Sequence, residues 1–220
     1  MNALPAPLTT GPEITRSDAQ ATYVSYWFVD GADHGRAVLD QVVTAWEQTP
    51  WPEGLLSLSC YLATDGSTVL TYAQCAGPDV HGPFLRGLPA GPARVEPIAF
   101  RLHRSVVVDP AAGAPGTLVA ASFDVDGAER QRHIVETVAR TLEQAPTGGQ
   151  AGLIAAHFHL SVDGSRVLNF AEWTSDEAHA AFLDGATRHR SLRLAQDTPG
   201  VRPIGYKRYR LHRSLGVGSA

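Results

Sequence analysis

The sequence predicts an α+β fold in which one βαββαβ unit occurs twice and the two copies pack together as a closed barrel. Three observations support this prediction. Short segments recur in the same order in both halves of the chain, strand-like and helix-like periodicities alternate in the same way in each half, and an Asp-Gly-Ser turn separates two strands of each half.

Recurring segments define the two copies. Matching segments lie 96 to 98 residues apart up to the second helix and 109 residues apart at the last strand, so the second copy is longer around its second helix. The matching pairs are 29–33 with 125–129, 47–50 with 143–146, 65–67 with 163–165, 72–74 with 170–172, 84–85 with 182–183, and 101–105 with 210–214. Matches that keep their order in this way indicate an internal duplication.

Each copy contains a strand, a helix with an apolar stripe, a hairpin, a second helix and a last strand. The apolar stripes of the first helices have fourfold spacing and consist of Val38, Val42 and Trp46, and of Ile134, Val138 and Leu142. The predicted bounds are 22–29, 31–48, 55–63, 68–76, 78–88 and 94–105 in the first copy, and 117–125, 127–145, 152–161, 166–173, 175–195 and 201–213 in the second.

These elements also predict the domain organisation. Its segments are a flexible arm over 1–20, a first repeat over 21–108, a linker over 109–116, a second repeat over 117–214 and a tail over 215–220. A four-stranded sheet with both helices on one face leaves its other face uncovered, and such a face must be buried. Two ferredoxin-like repeats in one chain can cover each other, which predicts an intramolecular dimer.

Composition excludes several classes of function. The net charge is −4 and the pI is near 6.1, so no basic surface for nucleic acid or for an anionic membrane is expected. No apolar run reaches the roughly 20 residues that span a bilayer, and residues 1–20 lack the pattern of a signal peptide. We expect Cys60 and Cys75, on adjacent strands, to be free thiols in a reducing cytoplasm.

The candidate functional segment runs from residue 168 to residue 183. Its first six residues alternate as a strand, which places Asn169 and Trp173 on one face. The spacing Thr174-x-x-Glu177 predicts a capping box that starts the second helix. An amide beside an indole on the covered face of a sheet needs polar partners, so we expect a ligand site here, with His179 nearby.

Histidines occupy other strands as well. His157 and His159 share one face of the strand before this segment. A metal site needs third and fourth ligands with suitable spacing, which the sequence does not offer, so no metal is predicted. His157 as a proton acceptor in the pocket stays open. Tyr206 and Tyr209 on the last strand line either the pocket or the seam of the barrel.

The segment 172–178, followed by 181–183, resembles the antibiotic biosynthesis monooxygenase domain of the dimeric α/β-barrel superfamily. Members of that family have a strand that ends in Glu-Trp, then Ser-x-Glu-Ala, then a helix. The resemblance covers most of residues 20–215 and is sharp only in the second repeat. It implies that the two ferredoxin-like βαββαβ repeats form an intramolecular dimeric α/β barrel.

The resemblance also implies a reaction. Family members oxidise polycyclic aromatic polyketides, anthrone or phenol to quinone, with molecular oxygen and without metal or flavin. Their site has an Asn four residues before the Trp, a Tyr about six after it and an Arg about twenty after it. Asn169, Trp173 and Arg193 match these positions, whereas His179 replaces the Tyr.

These positions imply roles in the reaction. A base, His179 or His157, would remove a proton from the substrate. Asn169 and Arg193 would stabilise the resulting oxyanion, and Trp173 would shape the pocket and donate its indole N–H. In the first repeat the positions of Asn169 and Trp173 are Thr71 and Cys75. We therefore expect one working pocket, in the second repeat, with the first repeat as a built-in dimerisation partner.

Other functions stay open at this point. A non-oxidative polyketide cyclase or isomerase would use the same pocket and turn over without oxygen, and a non-catalytic protein would only bind an aromatic ligand. A haem-degrading relative would need an axial histidine, and some relatives use reduced flavin. The expected partners are a small aromatic substrate and molecular oxygen, with no nucleic acid and no membrane. The chain is expected to be a monomer with an internal pseudo-dimer, or a dimer of such chains.

Overall fold

The computed structural model describes residues 4–146 and 148–217, which divide between two compact units. Among these residues, unit 1 comprises 4–100 and 209–217, and unit 2 comprises 101–146 and 148–208. The strands are β1 (Ala6–Leu8), β2 (Ala21–Phe28), β3 (Leu55–Ala63), β4 (Thr68–Cys75), β5 (Ile98–Val107), β6 (Thr117–Val125), β7 (Leu153–Ser161), β8 (Arg166–Trp173) and β9 (Val201–Gly216). The helices are α1 (Ala32–Glu47), α2 (His81–Gly87), α3 (Ala128–Glu143), α4 (Asp176–Leu183) and α5 (Ala186–Gln196), with a 3-10 turn at Pro92–Arg94.

Unit 1 is a sheet covered by helices. Its strands follow the order β1, β9, β3, β4, β2 and β5, and their pairings are antiparallel. The apolar stripe predicted for α1 is buried, including Val38, Val42 and Trp46. It packs against apolar side chains of β3 and β4 in one core cluster.

Unit 2 has the strand order β5, β7, β8, β6 and β9. Strand β8 lies between β6 and β7 and is antiparallel to both, with Asn169 opposite Ala121 on one side and Phe158 on the other. Because side chains alternate along a strand, Asn169 and Trp173 lie on the face of β8 that packs with α3 in the second core cluster. The pairing of His157 with Phe170 puts both of those side chains on the opposite face.

Both halves of the chain contain the predicted order of elements. The Asp-Gly-Ser turn has the same geometry twice: Ser67 N donates to Asp65 Oδ1 at 3.0 Å, and Ser165 N donates to Asp163 Oδ1 at 3.0 Å. The central glycine has a positive φ in each turn, 71° and 80°, a conformation that residues with a Cβ rarely adopt. The local sequence therefore determines both hairpins in the same way.

Three sequence predictions need correction. Ala6–Leu8, in the predicted flexible arm, form β1 and pair with β9. With three residues, β1 is too short for an alternating pattern to be recognised in the sequence. The second helix of the second copy, predicted over 175–195, is divided into α4 and α5 because Gly185 is extended. The predicted tail begins inside β9, which ends at Gly216. Residues 1–3 of the arm and 218–220 of the tail lie outside the described residues.

The Arg-Leu-His-Arg-Ser segment of each predicted repeat lies in the unit that is formed mainly by the other repeat. Residues 101–107 belong to unit 2 and residues 209–214 belong to unit 1. Within its unit, each Arg-Leu-His-Arg-Ser segment contacts acidic side chains of the unit's first helix. The equivalent contacts are His103–Glu136 (3.3 Å) and Arg104–Glu143 (2.6 Å) in unit 2, and His212–Asp40 (2.7 Å) and Arg213–Glu47 (3.9 Å) in unit 1.

Helix α4 begins one residue later than the predicted capping box. Thr174 N donates to Gly152 O at 2.9 Å, which keeps Thr174 attached to the end of the sheet. Ser175 is extended, with φ −159° and ψ 170°, and its Oγ accepts a hydrogen bond from Ala178 N at 3.1 Å. The prediction of Thr174 as the N-cap was therefore wrong by one residue, and Ser175 satisfies the free N–H of the first turn.

Replacing Ser175 with alanine is expected to lower the free energy of unfolding by about 1 kcal/mol, because the N-terminus of α4 loses its side-chain acceptor. Urea denaturation of the variant and of the wild-type protein measures the change. Ser17→Ala, at an exposed serine outside helices and strands, is the matched control and should change stability by less than about 0.5 kcal/mol. Equal effects of the two substitutions would contradict the assignment of the cap.

The two cysteines are free thiols, as the sequence predicts, and both are buried. Cys60 lies opposite Thr71, whereas Cys75 lies opposite Leu55, so the two are not paired across the hairpin. Burial raises the pKa of the Cys75 thiol to about 12, and a protonated thiol is a poor nucleophile. Among the described residues, no helix has the length and apolar character needed to cross a membrane.

Candidate active site

A cavity in unit 2 lies between the sheet and helices α3, α4 and α5. The volume open to the centres of water-sized molecules is about 110 Å³, and the space available to the atoms of a ligand is larger. Most of its wall is apolar and comes from β6, β7, α3 and α4. Polar groups are few and include Asn169, Trp173, His179, Arg188, Ser191 and Tyr206. An apolar cavity with a small number of polar groups is typical of a site for a small molecule.

The structure brings three of the five predicted site residues together. Asn169, Trp173 and His179 line this cavity. Arg193 does not line it and is exposed on α5, and His157 lies on the opposite face of the sheet. Helix α5 instead directs Arg188 to the cavity, because Arg188, Ser191, Leu192 and Ala195 follow the helical period on its inner face and Arg193 falls outside that period.

Several polar atoms in the cavity wall lack partners. Asn169 Oδ1, Trp173 Nε1 and Ser191 Oγ are buried and make no hydrogen bond with the described residues. A buried donor or acceptor without a partner destabilises the fold by about 1–3 kcal/mol. All three side chains line one cavity. A hydroxyl of a bound ligand could donate to Asn169 Oδ1, while a carbonyl or phenolate oxygen of the same ligand could accept from Trp173 Nε1.

His179 is buried at the centre of the polar groups. Its ring contacts the rings of Trp173 at 5.1 Å and Tyr206 at 5.0 Å, edge to face in both cases. Its Nδ1 accepts a hydrogen bond from Arg208 Nε at 2.9 Å. Burial, followed by the charges of Arg208 and Arg188, lowers the pKa of His179 to about 4. The imidazole is therefore neutral at physiological pH.

Arg188 supplies a permanent positive charge to the cavity wall. It is half-buried, and among the described residues its guanidinium forms no ion pair with a carboxylate. A guanidinium stays protonated at any physiological pH and binds oxyanions well. The cavity consequently favours a ligand that carries or develops a negative charge.

His157 has structural partners on the other face of the sheet. Its Nδ1 lies 2.8 Å from Ser105 Oγ, and its Nε2 lies 3.5 Å from Glu172 Oε2. His159 is fully buried, and its Nδ1 lies 3.1 Å from His157 O. The described residues contain no group of three or more His, Cys, Asp or Glu side chains that could hold a metal ion.

The equivalent location in unit 1 is filled. Only about 10 Å³ remains there, beside Thr71 and His81, which match Asn169 and His179 in the sequence alignment of the two halves. Trp46 occupies the position of Leu142 and packs against Phe84 with ring centroids 4.8 Å apart. Trp46 is thus a large side chain at a position where unit 2 has the smaller Leu142.

Sequence reasoning missed Arg208 entirely. Arg208 is two residues from Tyr206 on β9, so the strand period places both on the same face. This alternation could have identified Arg208 as a neighbour of the pocket from the sequence alone. Tyr206, for which the sequence left two locations open, lines the cavity, and Tyr209 is buried within unit 1.

No protein-family model matches the sequence, and no curated protein matches it in sequence. Solved structures do match. An anthrone oxidase-like protein is 16% identical over 92% of this chain and 95% of its own, with a TM-score of 0.66. An uncharacterized ferredoxin fold protein related to antibiotic biosynthesis monooxygenases, from Listeria monocytogenes, is 10% identical over 94% of this chain and 100% of its own, with a TM-score of 0.52.

A monooxygenase-like protein from Listeria innocua is also similar, with 10% identity over 88% of this chain and 94% of its own and a TM-score of 0.50. At such identities the similarity establishes architecture and leaves the chemistry to the site itself. The chain thus shares its α+β fold with ferredoxin-like proteins related to antibiotic biosynthesis monooxygenases.

Proposed function

We propose that this protein is an oxygenase of antibiotic biosynthesis that oxidises a polycyclic aromatic polyketide, anthrone or phenol to quinone, with molecular oxygen and without a metal or flavin cofactor. The observation that carries the proposal is the set of buried polar atoms without partners, on Asn169 and Trp173, in an apolar cavity beside the unpaired charge of Arg188. The shared fold with an anthrone oxidase-like protein supports it.

The proposed reaction uses the electrons of the substrate. Loss of a proton from the CH₂ group of an anthrone gives an enolate, which transfers electrons to O₂ and forms a C–O bond. The resulting hydroperoxide loses water, so that one anthrone and one O₂ give one quinone and one H₂O. The protein has to favour the enolate, and no other reductant is required.

The cavity residues suit these tasks. Asn169 Oδ1 can accept a hydrogen bond from a phenolic hydroxyl, and Trp173 Nε1 can donate one to an oxyanion. Arg188, rather than the Arg193 expected from the sequence, stabilises the enolate by charge. No cavity residue is a poised base, because Nδ1 of His179 already accepts a hydrogen bond from Arg208 and because burial and the neighbouring arginines lower the pKa of the ring. We therefore propose that the substrate's proton leaves to water once these groups lower the pKa of the substrate.

We also propose that the chain contains two fused copies of one domain as an intramolecular pseudo-dimer. The repeated turn geometry and the repeated ion pairs of the first helices support this. In this proposal the second copy retains the pocket, whereas the first has lost it to Trp46.

Purified protein, freed of metal and flavin, is expected to convert anthrones to quinones in air and not under argon. Product absorbance and oxygen consumption measure the reaction, and one O₂ should be consumed per quinone. Boiled protein is the control for the spontaneous oxidation of anthrones. Conversion that continues without oxygen would instead indicate a cyclase or isomerase, and binding without conversion would indicate a ligand-binding protein or a need for reduced flavin.

A further inference from the structure

The pairing of His179 with Arg208 is unusual, because histidines in functional sites more often have a carboxylate or a carbonyl as partner. Here the partner is a cation, and the bond from Arg208 Nε to His179 Nδ1 is 2.9 Å long. Both residues belong to unit 2. The guanidinium cannot give up its proton in a protein, so the direction of this hydrogen bond is determined by chemistry.

This direction determines the tautomer of the imidazole. In a neutral ring one nitrogen carries a proton and the other accepts. Since Nδ1 accepts from Arg208, the proton of His179 resides on Nε2. The ring is also held in place by edge contacts with Trp173 and Tyr206, so the direction in which Nε2–H donates is set by packing.

The charges around the ring favour the neutral form. Arg208 on β9 and Arg188 on α5 both oppose protonation, whereas Asp176 on α4 favours it. Burial acts in the same direction as the two arginines and is the largest contribution. The remaining neighbours, on β8 and β9, are aromatic rings. Of the charged groups around the ring, only Asp176 therefore favours the imidazolium.

We propose that Arg208 is a positioning residue that holds His179 in the Nε2–H tautomer, so that His179 donates a hydrogen bond to an oxygen of the bound aromatic ligand and does not take a proton from it. The tautomer follows from the geometry alone, and its use in turnover rests on the proposed oxygenase function. The ligand class that fits this donor together with Arg188 is a hydroxylated polycyclic ring bound as its phenolate or enolate.

Unit 1 offers an internal comparison. His81 occupies the position of His179 and stacks on Tyr23 with ring centroids 4.2 Å apart. Its Nδ1 is buried and has no partner among the described residues. The position that corresponds to Arg208 in the first half is Ala99. The arginine is thus present only in the unit that has the larger cavity.

Long-range ¹H–¹⁵N spectra of protein labelled at histidine read the tautomer directly. The chain has nine histidines, and the signals of His179 are identified by their loss in His179→Gln. At neutral pH the free wild-type protein is expected to show His179 as a single neutral tautomer protonated at Nε2. A proton on Nδ1, or on both nitrogens, would overturn the proposal.

Two variants separate the hydrogen bond from the shape of the side chain. Arg208→Met removes the donor, so we expect Nδ1–H to become populated and His179 to titrate at a pH about one unit or more higher. Arg208→Lys keeps a donor that cannot accept, so we expect it to retain the Nε2–H tautomer. An unchanged tautomer in Arg208→Met would show that the arginine does not position the ring. Because these spectra are recorded on the free protein, absence of oxygen-dependent turnover would count against the proposed function only.

Discussion

Replacing Leu142 with tryptophan is expected to reduce oxygen-dependent turnover by about 10²-fold or more, because the indole fills the space that a substrate must occupy. The chain supplies the precedent. Trp46 holds the equivalent position in unit 1, where only about 10 Å³ remains, against about 110 Å³ in unit 2. Leu142 lines the cavity, so the larger side chain extends into space that is already open.

Two controls distinguish a filled cavity from a misfolded chain. Leu142→Met conserves volume and should keep turnover within a few-fold of wild type, since such changes destabilise a core by less than about 1.5 kcal/mol. The tryptophan variant should still unfold cooperatively in urea, with a loss of about 1–3 kcal/mol from overpacking. Full turnover by a folded Leu142→Trp protein would mean that the reaction takes place outside this cavity.

Replacing Asn169 with alanine is expected to lower kcat by about 10²-fold, because the side-chain NH₂ of Asn169 can then no longer donate to the enolate oxygen, and loss of one oxyanion donor usually has an effect of this size. Asn169 Oδ1 is buried without a partner, so its removal leaves no protein group unsatisfied and should not reduce stability through a lost hydrogen bond. Steady-state kinetics with an anthrone, measured beside urea denaturation of the same variant, separates loss of catalysis from loss of folded protein.

Thr71→Ala provides the matched control for this prediction. Thr71 holds the position of Asn169 in unit 1, on the corresponding strand β4 and beside the filled pocket. We expect the same truncation there to leave kcat unchanged. Equal losses from both substitutions would show that the effect is structural, and unchanged turnover in Asn169→Ala would remove Asn169 from the mechanism.

Local patterns predicted much of what positions the site. Alternation along β8 placed Asn169 and Trp173 on one face, and both line the cavity. Helical period and turn chemistry located α1, α3 and both hairpins close to their observed bounds. The break at Gly185 was missed because the alanine-rich segment before it and the segment after it, which contains arginine and leucine, both have good helix propensity, and a single glycine does not always end a helix. Arg193 was chosen by its spacing of twenty residues from Trp173, and such a spacing does not show which face of a helix a residue occupies.

The sequence by itself determined the order of strands and helices, the two Asp-Gly-Ser turns and the common face of Asn169 and Trp173, since each depends on neighbours within a few residues. Only the tertiary structure decided that Arg188 lines the cavity, that Arg208 donates to His179 across 29 residues of chain, and that Trp46 fills the equivalent space in unit 1. Each of these outcomes depends on how side chains from separate elements pack against one another, and no local period in the sequence predicts that packing.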